Sequence, residues 1–206
     1  STTTTFYAAD DAGMTGSSTT WSTIHDTGSG MSVSTAATSG YMFCYLNGST
    51  YIIGRTCLTM DTSSIGAGST ITSATLGLYG ASKGGSDVKR YIICNSSHAD
   101  TVTTGDWSNV GTTQFSTSYI SQASWSTSAY NVFTAAAAGL AMISKTAKTK
   151  LCAREQFYDV GNSAPTGGAT YVYNNQSSQT GTSKDPYLEV TYDAGVTFNS
   201  KMLTVF

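Results

Sequence analysis

The sequence predicts an all-β protein, a single sandwich of antiparallel strands, and three observations lead to this prediction. Apolar residues occur in short alternating runs that are separated by Gly, Ser, Asn and Asp turns. Aromatic residues make up 11% of the chain, and charged residues also only 11%, well below the roughly 25% of average globular proteins. A chain of 206 residues also fits the size that one sandwich domain reaches.

The clearest element is a hairpin between Gly40 and Asp61. The run GYMFCYL leads into Asn47-Gly48-Ser49, and TYIIGRTCLTM follows. Asn-Gly favours the positive φ values of a type I′ turn, so this pattern predicts two long antiparallel strands.

The next segment, Ile71 to Tyr79, alternates between a polar and an apolar face. Thr72, Ala74, Leu76 and Leu78 fall together on the apolar face, which we expect to point into the core. Four more strands are predicted from the same kind of pattern: Val88 to Cys94, Lys150 to Phe157, Thr170 to Asn174 and Pro186 to Tyr192.

One segment departs from the strand pattern. Residues 135–145 are rich in helix-forming residues, with Leu140 and Ile143 three apart, and this predicts one short helix near 136–145. The sandwich domain is expected to span residues 1–192.

Residues 193–206 form an apolar, β-prone C-terminal tail. The tail is interpreted either as a last strand packed on its own domain or as a strand added to the sheet edge of a neighbouring subunit. In the second case self-association would involve Val196, Phe198, Met202 and Val205.

The charge and hydropathy of the chain exclude two classes of partner. A net charge of −2 and a pI near 5.5 argue against nucleic acid, because phosphate binding requires a basic surface. No segment reaches the ~18–20 apolar residues of a membrane-spanning helix, so membrane insertion is not expected.

Each of the four cysteines lies inside a strand-like apolar run. Cys44, Cys57, Cys94 and Cys152 are interpreted either as small buried apolar residues or as partners in one or two inter-strand disulfides. If all four were oxidised, three pairings would be open.

The sequence does not predict an enzyme. Hydrolysis of glycosides needs two carboxyl groups at a defined separation, and Glu155 and Glu189 are the only glutamates. Glu155 is expected to pair with Arg55 or Arg90 across the sheet, and Glu189 to point outward. Neither a P-loop nor an HExxH motif occurs.

Four segments of the chain, TTTTFYAAD, YIIGRTCLTMD, MDTSSIGAGSTITSATLGLYG (60–80) and DPYLEVTY (185–192), resemble the DNRLRE-type domains. These are jelly-roll modules related to carbohydrate-binding modules, and the resemblance covers about residues 2–192. Met60 and Cys57 depart from the residues that are frequent in the family. The resemblance implies a jelly roll and a non-catalytic module of the kind found on secreted, cell-surface or virion proteins.

Sugar binding is the chemistry that we expect most, because aromatic rings stack on the C–H faces of pyranoses. Trp21 and Trp125 lie beside Ser and Thr in expected loops and are the candidate glycan-binding residues, with structural anchoring as the alternative. No cofactor is expected, except that Ca²⁺ is an option at Asp10, Asp11 and Asp61, since jelly rolls often bind calcium through loop carboxylates.

Together these observations favour a non-catalytic structural subunit on a virion or extracellular surface, a decoration, tail-associated or filament protein. Its partners would be copies of itself or other virion or surface proteins, with weak adhesion to surface glycans as an added property. The alternative is a dedicated carbohydrate-binding module of a secreted system that targets polysaccharides.

Overall fold

In a computed structural model, which describes residues 1–85, 89–178 and 180–195, the chain is mostly antiparallel β-sheet. The described strands are β1 Thr2–Tyr7, β2 Ala12–Ser18, β3 Ser32–Ser34, β4 Ser39–Asn47, β5 Thr50–Asp61, β6 Thr70–Gly84, β7 Arg90–Ser96, β8 Val110–Gln114, β9 Ile120–Ser121, β10 Tyr130–Thr134, β11 Lys148–Glu155, β12 Tyr171–Asn175 and β13 Tyr187–Asp193. One short helix, α1, spans Ala137–Ala141. Single helical turns are formed by Thr23–Thr27, Ser63–Ile65, Thr104–Asn109 and Gln156–Val160.

The fifteen-residue strand β6 belongs to both layers of the fold. Its first part pairs with β13 on one edge and β10 on the other, since both of these strands are in register with Gly77. Strand β1 pairs with β13, which gives the order β1-β13-β6-β10 for the first sheet. The last part of β6 pairs with β12 and so continues into the second sheet.

The second sheet is centred on β5, whose two edges are used differently. Strand β2 covers one edge, because both Gly54 and Cys57 have register partners in it. The other edge is shared: β4 pairs with the first half of β5 and β11 with the second half. Strand β12 joins β4, strand β7 joins β11, and β3, β8 and β9 lie at the margins.

The main core lies between the two sheets and is built from alternate residues of both. It includes Phe6, Ala74, Leu76, Leu78, Phe133, Leu188 and Val190 from the first sheet, and Met42, Leu58, Met60, Tyr91, Ile93, Leu151 and Val172 from the second. The expected core face of β6 is therefore confirmed for Ala74, Leu76 and Leu78, whereas Thr72 is exposed.

A second, smaller core covers the opposite face of the β5 sheet. The turns at Thr23–Thr27 and Thr104–Asn109 lie over this face and bury Ile24 and Trp107 against it. Because β5 is covered on both faces here, its residues from Ile53 to Met60 are all buried, and these include the polar residues Arg55, Thr56 and Thr59.

The all-β fold class is confirmed, and two details of the prediction change. The hairpin turn lies one residue later than expected: Gly48 and Ser49 form the corner, and only Gly48, with φ of 60°, has positive φ. A glycine at the first corner position is typical of a type II′ turn.

The helix is shorter than the 136–145 segment, because the chain turns at Met142 after five helical residues. None of the described helices has the length and apolar character of a bilayer-spanning segment.

Candidate functional site

Five aromatic side chains from two neighbouring strands lie on one surface. Strands β4 and β12 pair in register, with Tyr171 opposite Phe43 and Tyr173 opposite Tyr41. Between them, Met42 and Val172 point into the main core. Because side chains alternate across a strand, the aromatic residues lie on the other face. We call this surface the aromatic platform: Tyr41, Phe43, Tyr45, Tyr171 and Tyr173.

The rings of the platform form a continuous contact chain. Their centroids lie 5.6 Å apart for Tyr45 and Phe43, 6.3 Å for Phe43 and Tyr173, and 4.8 Å for Tyr173 and Tyr171. These separations fall in the roughly 4.5–7 Å range of favourable aromatic pairs. The four tyrosines are partly exposed, while Phe43 at the centre is only 7% exposed.

Glycines on the adjoining strands provide the floor of the platform. A Cβ atom at Gly54 would lie 2.6 Å from the Phe43 ring, and one at Gly84 would lie 2.6 Å from the Tyr171 ring. A Cβ at Gly13 would similarly lie 2.6 Å from the Tyr41 ring. Any larger residue would lift these rings, so the glycines allow them to lie close to the backbone of the sheet.

The hydroxyl groups of the platform are available to a ligand. Within the described part of the chain, the hydroxyls of Tyr41, Tyr45, Tyr171 and Tyr173 make no hydrogen bond. Burial raises the pKa of Tyr45 and of Tyr173, so both stay protonated and can donate as well as accept.

The neighbours of the platform along the sheet are uncharged. Thr15 is in register with both Gly54 and Ser32, and the Thr15 and Ser32 hydroxyls lie 3.0 Å apart. Ser82 is in register with Tyr173 on the other side. The surface therefore combines aromatic faces with hydroxyl groups, which suits a neutral polyhydroxylated ligand.

Close to the platform strands, a buried ion cluster ties β5 to β11. The Asp159 carboxylate accepts hydrogen bonds from the guanidinium groups of Arg55 and Arg154, at 2.6 and 2.7 Å. Burial alone would raise the pKa of Asp159, but the two guanidinium groups outweigh it and hold the pKa well below its usual range. The Arg55 guanidinium also lies 4.0 Å from the centroid of the Trp107 ring.

The expected pairing of Glu155 with Arg55 or Arg90 is wrong. Glu155 ends β11, and the following turn folds its backbone N–H groups over the carboxylate, which accepts from Phe157 and Tyr158 at 3.0 and 2.6 Å. Arg90 instead lies over the Tyr119 ring, 4.4 Å from its centroid. Burial raises the pKa of Glu155.

The two predicted glycan-binding tryptophans have different environments. Trp125 is 1% exposed within the main core, so neither face of its ring is open to a sugar, and it is corrected to a core residue. Trp21 is partly exposed: its ring stacks on His25 at 5.0 Å, and its Nε1–H donates to Asn162 Oδ1 at 2.9 Å.

The three aspartates predicted to bind calcium do not form one ligand set. The Lys148 ammonium group lies 3.1 Å from Asp10 Oδ2 and 3.3 Å from Asp100 Oδ2, so a cation already occupies the space between them. Asp11 is buried and accepts from the backbone N–H of Ser177. Asp61 accepts from Ser63. Among the described residues, no three His, Cys, Asp or Glu side chains come together as a metal site.

The four cysteines are buried free thiols. Cys152 on β11 is in register with both Cys57 on β5 and Cys94 on β7, so three thiols form a row across adjacent strands. A hydrogen bond to Cys152, together with burial, raises the pKa of Cys57 well above its usual value. A buried thiol with a raised pKa, such as that of Cys57, is not a reactive nucleophile.

The residues expected to drive self-association, Val196, Phe198, Met202 and Val205, lie outside the described residues. The aromatic platform, in contrast, was not among the predicted site residues. Its signal is present in the alternation of YMFCY and YVY, but the pairing of these two runs cannot be seen in the sequence.

When it is compared with known proteins, the chain matches no family model and no curated protein sequence. The resemblance to DNRLRE-type domains therefore stays a prediction.

Proposed function

We propose that this protein is a non-catalytic, glycan-binding β-sandwich displayed on an extracellular or virion surface. The observation that carries the proposal is the aromatic platform, five contacting rings on a glycine floor with free hydroxyl groups. A contiguous, partly exposed aromatic surface of this kind, in which only Phe43 is buried, is typical of an interaction site.

The chemistry of the platform favours an extended, neutral polysaccharide. The C–H face of a pyranose stacks on an aromatic ring, and successive rings in contact offer successive sugar units a stacking partner. Tyrosine and threonine hydroxyls supply the hydrogen bonds that sugar hydroxyls require. The described register neighbours of the platform, Thr15, Ser32 and Ser82, are uncharged, which favours a neutral polymer over an acidic one.

The proposal is tested by retention on immobilised neutral polysaccharides and by affinity electrophoresis. Tyr173→Ala and Tyr41→Ala are expected to weaken retention about tenfold or more, which corresponds to a loss of about 1.4 kcal/mol of binding free energy. The matched control is Phe157→Ala, which removes an aromatic ring that is 58% exposed outside the platform. Failure of the wild type to bind any neutral polysaccharide, or equal retention of platform variants and control, would overturn the proposal.

One observation favours a second candidate function, that of a self-assembling structural subunit. Strand β1 pairs with β13 on one side, and no strand of the described chain pairs with its other side along Thr2–Phe6. The strand has no Lys or Pro that would block an added strand. The amide of Ala8 bonds to Pro186, so by alternation the amide of Thr5 points to the free edge.

Native mass spectrometry of the full chain tests this second function. If subunits join through the β1 edge, the wild type forms oligomers and Thr5→Pro, which removes an edge donor, is monomeric. A monomeric wild type, or an unchanged oligomer in Thr5→Pro, would exclude assembly through this edge.

A further inference from the structure

A second aromatic group lies on the outer face of the first sheet, away from the aromatic platform. Tyr7 is in register with Tyr187, and Tyr130 is in register with Tyr79. The Tyr130 ring contacts both Tyr187 and Tyr79 edge to face, with centroids 4.8 and 5.2 Å apart. As in the platform, a glycine supports this group, because a Cβ at Gly77 would clash with the Tyr187 ring.

Three of these tyrosines line a shallow, open cleft of about 270 Å³, which we call the tyrosine cleft. Its walls are the rings of Tyr7, Tyr130 and Tyr187, and its polar rim is formed by Thr5, Ser183 and Glu189. Tyr7 is the most accessible wall, with 43% of its surface exposed. The volume lies just below the roughly 300–1,000 Å³ of sites for drug-sized ligands, so the cleft has room for one sugar unit rather than an oligosaccharide.

The polar groups of the cleft are arranged for hydrogen bonds with hydroxyl groups. The Tyr130 hydroxyl donates to the Asp185 carbonyl oxygen at 3.0 Å, which fixes that wall. Within the described residues the hydroxyls of Tyr7 and Tyr187 make no hydrogen bond and remain available. Burial raises the pKa of Tyr187, and the Glu189 carboxylate adds to this effect, so this hydroxyl stays protonated beside a charged acceptor.

The charge at the cleft restricts the ligand further. Glu189 is exposed on β13 and its carboxylate accepts hydrogen bonds only, which suits two vicinal sugar hydroxyls and repels a sugar acid. The Lys184 ammonium group lies over the Tyr79 ring, 5.2 Å from its centroid, and Lys184 is not among the residues that line the cleft.

We propose that the tyrosine cleft is a second saccharide site, which takes a single neutral hexose at the end or branch of a glycan. This inference rests on the proposed function in its ligand class, but it concerns different residues on a different sheet. A module with one site for an extended chain and another for a terminal sugar can join two glycans, or bind one branched glycan with increased avidity.

The experiment measures binding of methyl glycosides of neutral hexoses, at millimolar concentrations, by saturation-transfer NMR and calorimetry. Tyr7→Ala removes an exposed wall and is expected to weaken hexoside binding at least tenfold. Tyr7→Phe keeps the stacking face and is expected to retain most of the affinity. Glu189→Gln is expected to weaken binding of neutral hexosides and to admit methyl glucuronide, which the wild type rejects. Unfolding temperatures verify that each variant is folded.

Tyr173→Ala in the aromatic platform is the matched control, since it is expected to lose polysaccharide retention and to bind hexosides as the wild type does. The inference is overturned if no neutral hexoside binds the wild type, or if Tyr7→Ala and Glu189→Gln bind as the wild type does. If polysaccharide retention persists in that case, the proposed function stands without the cleft. If hexosides bind at the cleft while the platform variants retain polysaccharide normally, the platform proposal fails and the cleft inference holds.

Discussion

Replacement of Asp159 by Asn is expected to destabilise the protein more than any exposed charge change. The Asp159 side chain is 0% exposed and its carboxylate lies between the guanidinium groups of Arg55 and Arg154. An amide of nearly the same shape removes the negative charge but leaves both cations buried. The loss of stability arises because the buried guanidinium groups of Arg55 and Arg154 then repel each other without their shared counter-ion.

The magnitude follows from the burial of the cluster. Breaking a buried ion pair by removing one partner costs about 3–5 kcal/mol. A domain of this size changes its Tm by roughly 2–4 °C per kcal/mol, so Asp159→Asn is expected to lower Tm by about 6–20 °C. The side chains of the two arginines are only 2% and 3% exposed, so water can screen little of the repulsion.

Thermal and urea unfolding followed by circular dichroism measure this effect. The control is Asp100→Asn, because the Asp100 side chain is 61% exposed and its pair with Lys150 is worth about 0–1 kcal/mol. The low pKa of Asp159 in the fold means that its contribution is present above the pKa of the unfolded chain and is lost as pH falls below it. Exposed ion pairs contribute at most about 1 kcal/mol. If the free energies of unfolding of Asp159→Asn and of the control differ by less than this amount, the buried cluster does not stabilise the fold as argued.

Three other changes test separate features. Burial lowers the pKa of His98 from 6.5 to about 4. Wild-type stability is therefore expected to fall as the pH is lowered from 6.5 to about 4, by up to about 1.4 kcal/mol per pH unit, because the unfolded chain binds the proton first. His98→Gln is expected to lose less stability over the same pH range, as measured by urea midpoints. Gly54→Ala places a Cβ against the Phe43 ring. It is expected to lower the free energy of unfolding by about 1–3 kcal/mol and to reduce polysaccharide retention. Gly167→Ala is the control, because the space around Gly167 is open, and it is expected to change neither stability nor retention. The buried Thr62 hydroxyl lies 2.6 Å from the Thr149 hydroxyl. Thr62→Val is expected to lower the free energy of unfolding in urea by about 1–3 kcal/mol, because it leaves buried polar groups unpaired. An unchanged urea midpoint would contradict this expectation.

The elements that follow from local patterns were predictable from the sequence. Alternation identified the core face of β6 at Ala74, Leu76 and Leu78, and the Asn-Gly turn identified the hairpin of β4 and β5. Both signals act over a few residues, and the physical rules behind them, side-chain alternation and turn geometry, are local as well.

The sites were harder to predict because they depend on contacts that are distant in sequence. Tyr41 and Tyr173 are 132 positions apart, and only the pairing of β4 with β12 brings them into contact. Asp159 lies in a turn after β11, so no strand alternation points to it as the partner of Arg55. The sequence alone therefore favours Trp21 and Trp125 over the tyrosines for sugar binding, although Trp125 fills the core.

A recurring pair type, an aromatic residue opposite a glycine, connects the two proposed sites. Phe43 lies directly opposite Gly54, Tyr171 opposite Gly84 and Tyr187 opposite Gly77. A glycine inside a strand weakens the sheet, and a ring that covers it restores part of the lost packing. A ring held in this way lies against the backbone of the sheet, and of the three rings Tyr171 and Tyr187 stay partly exposed, whereas Phe43 is buried. Because such pairs occur on both sheets, the strand pairing of the fold itself creates the two aromatic surfaces. Glycines that lie opposite aromatic residues are the sequence signal for these surfaces, but the signal can be read only once the strand pairing is known.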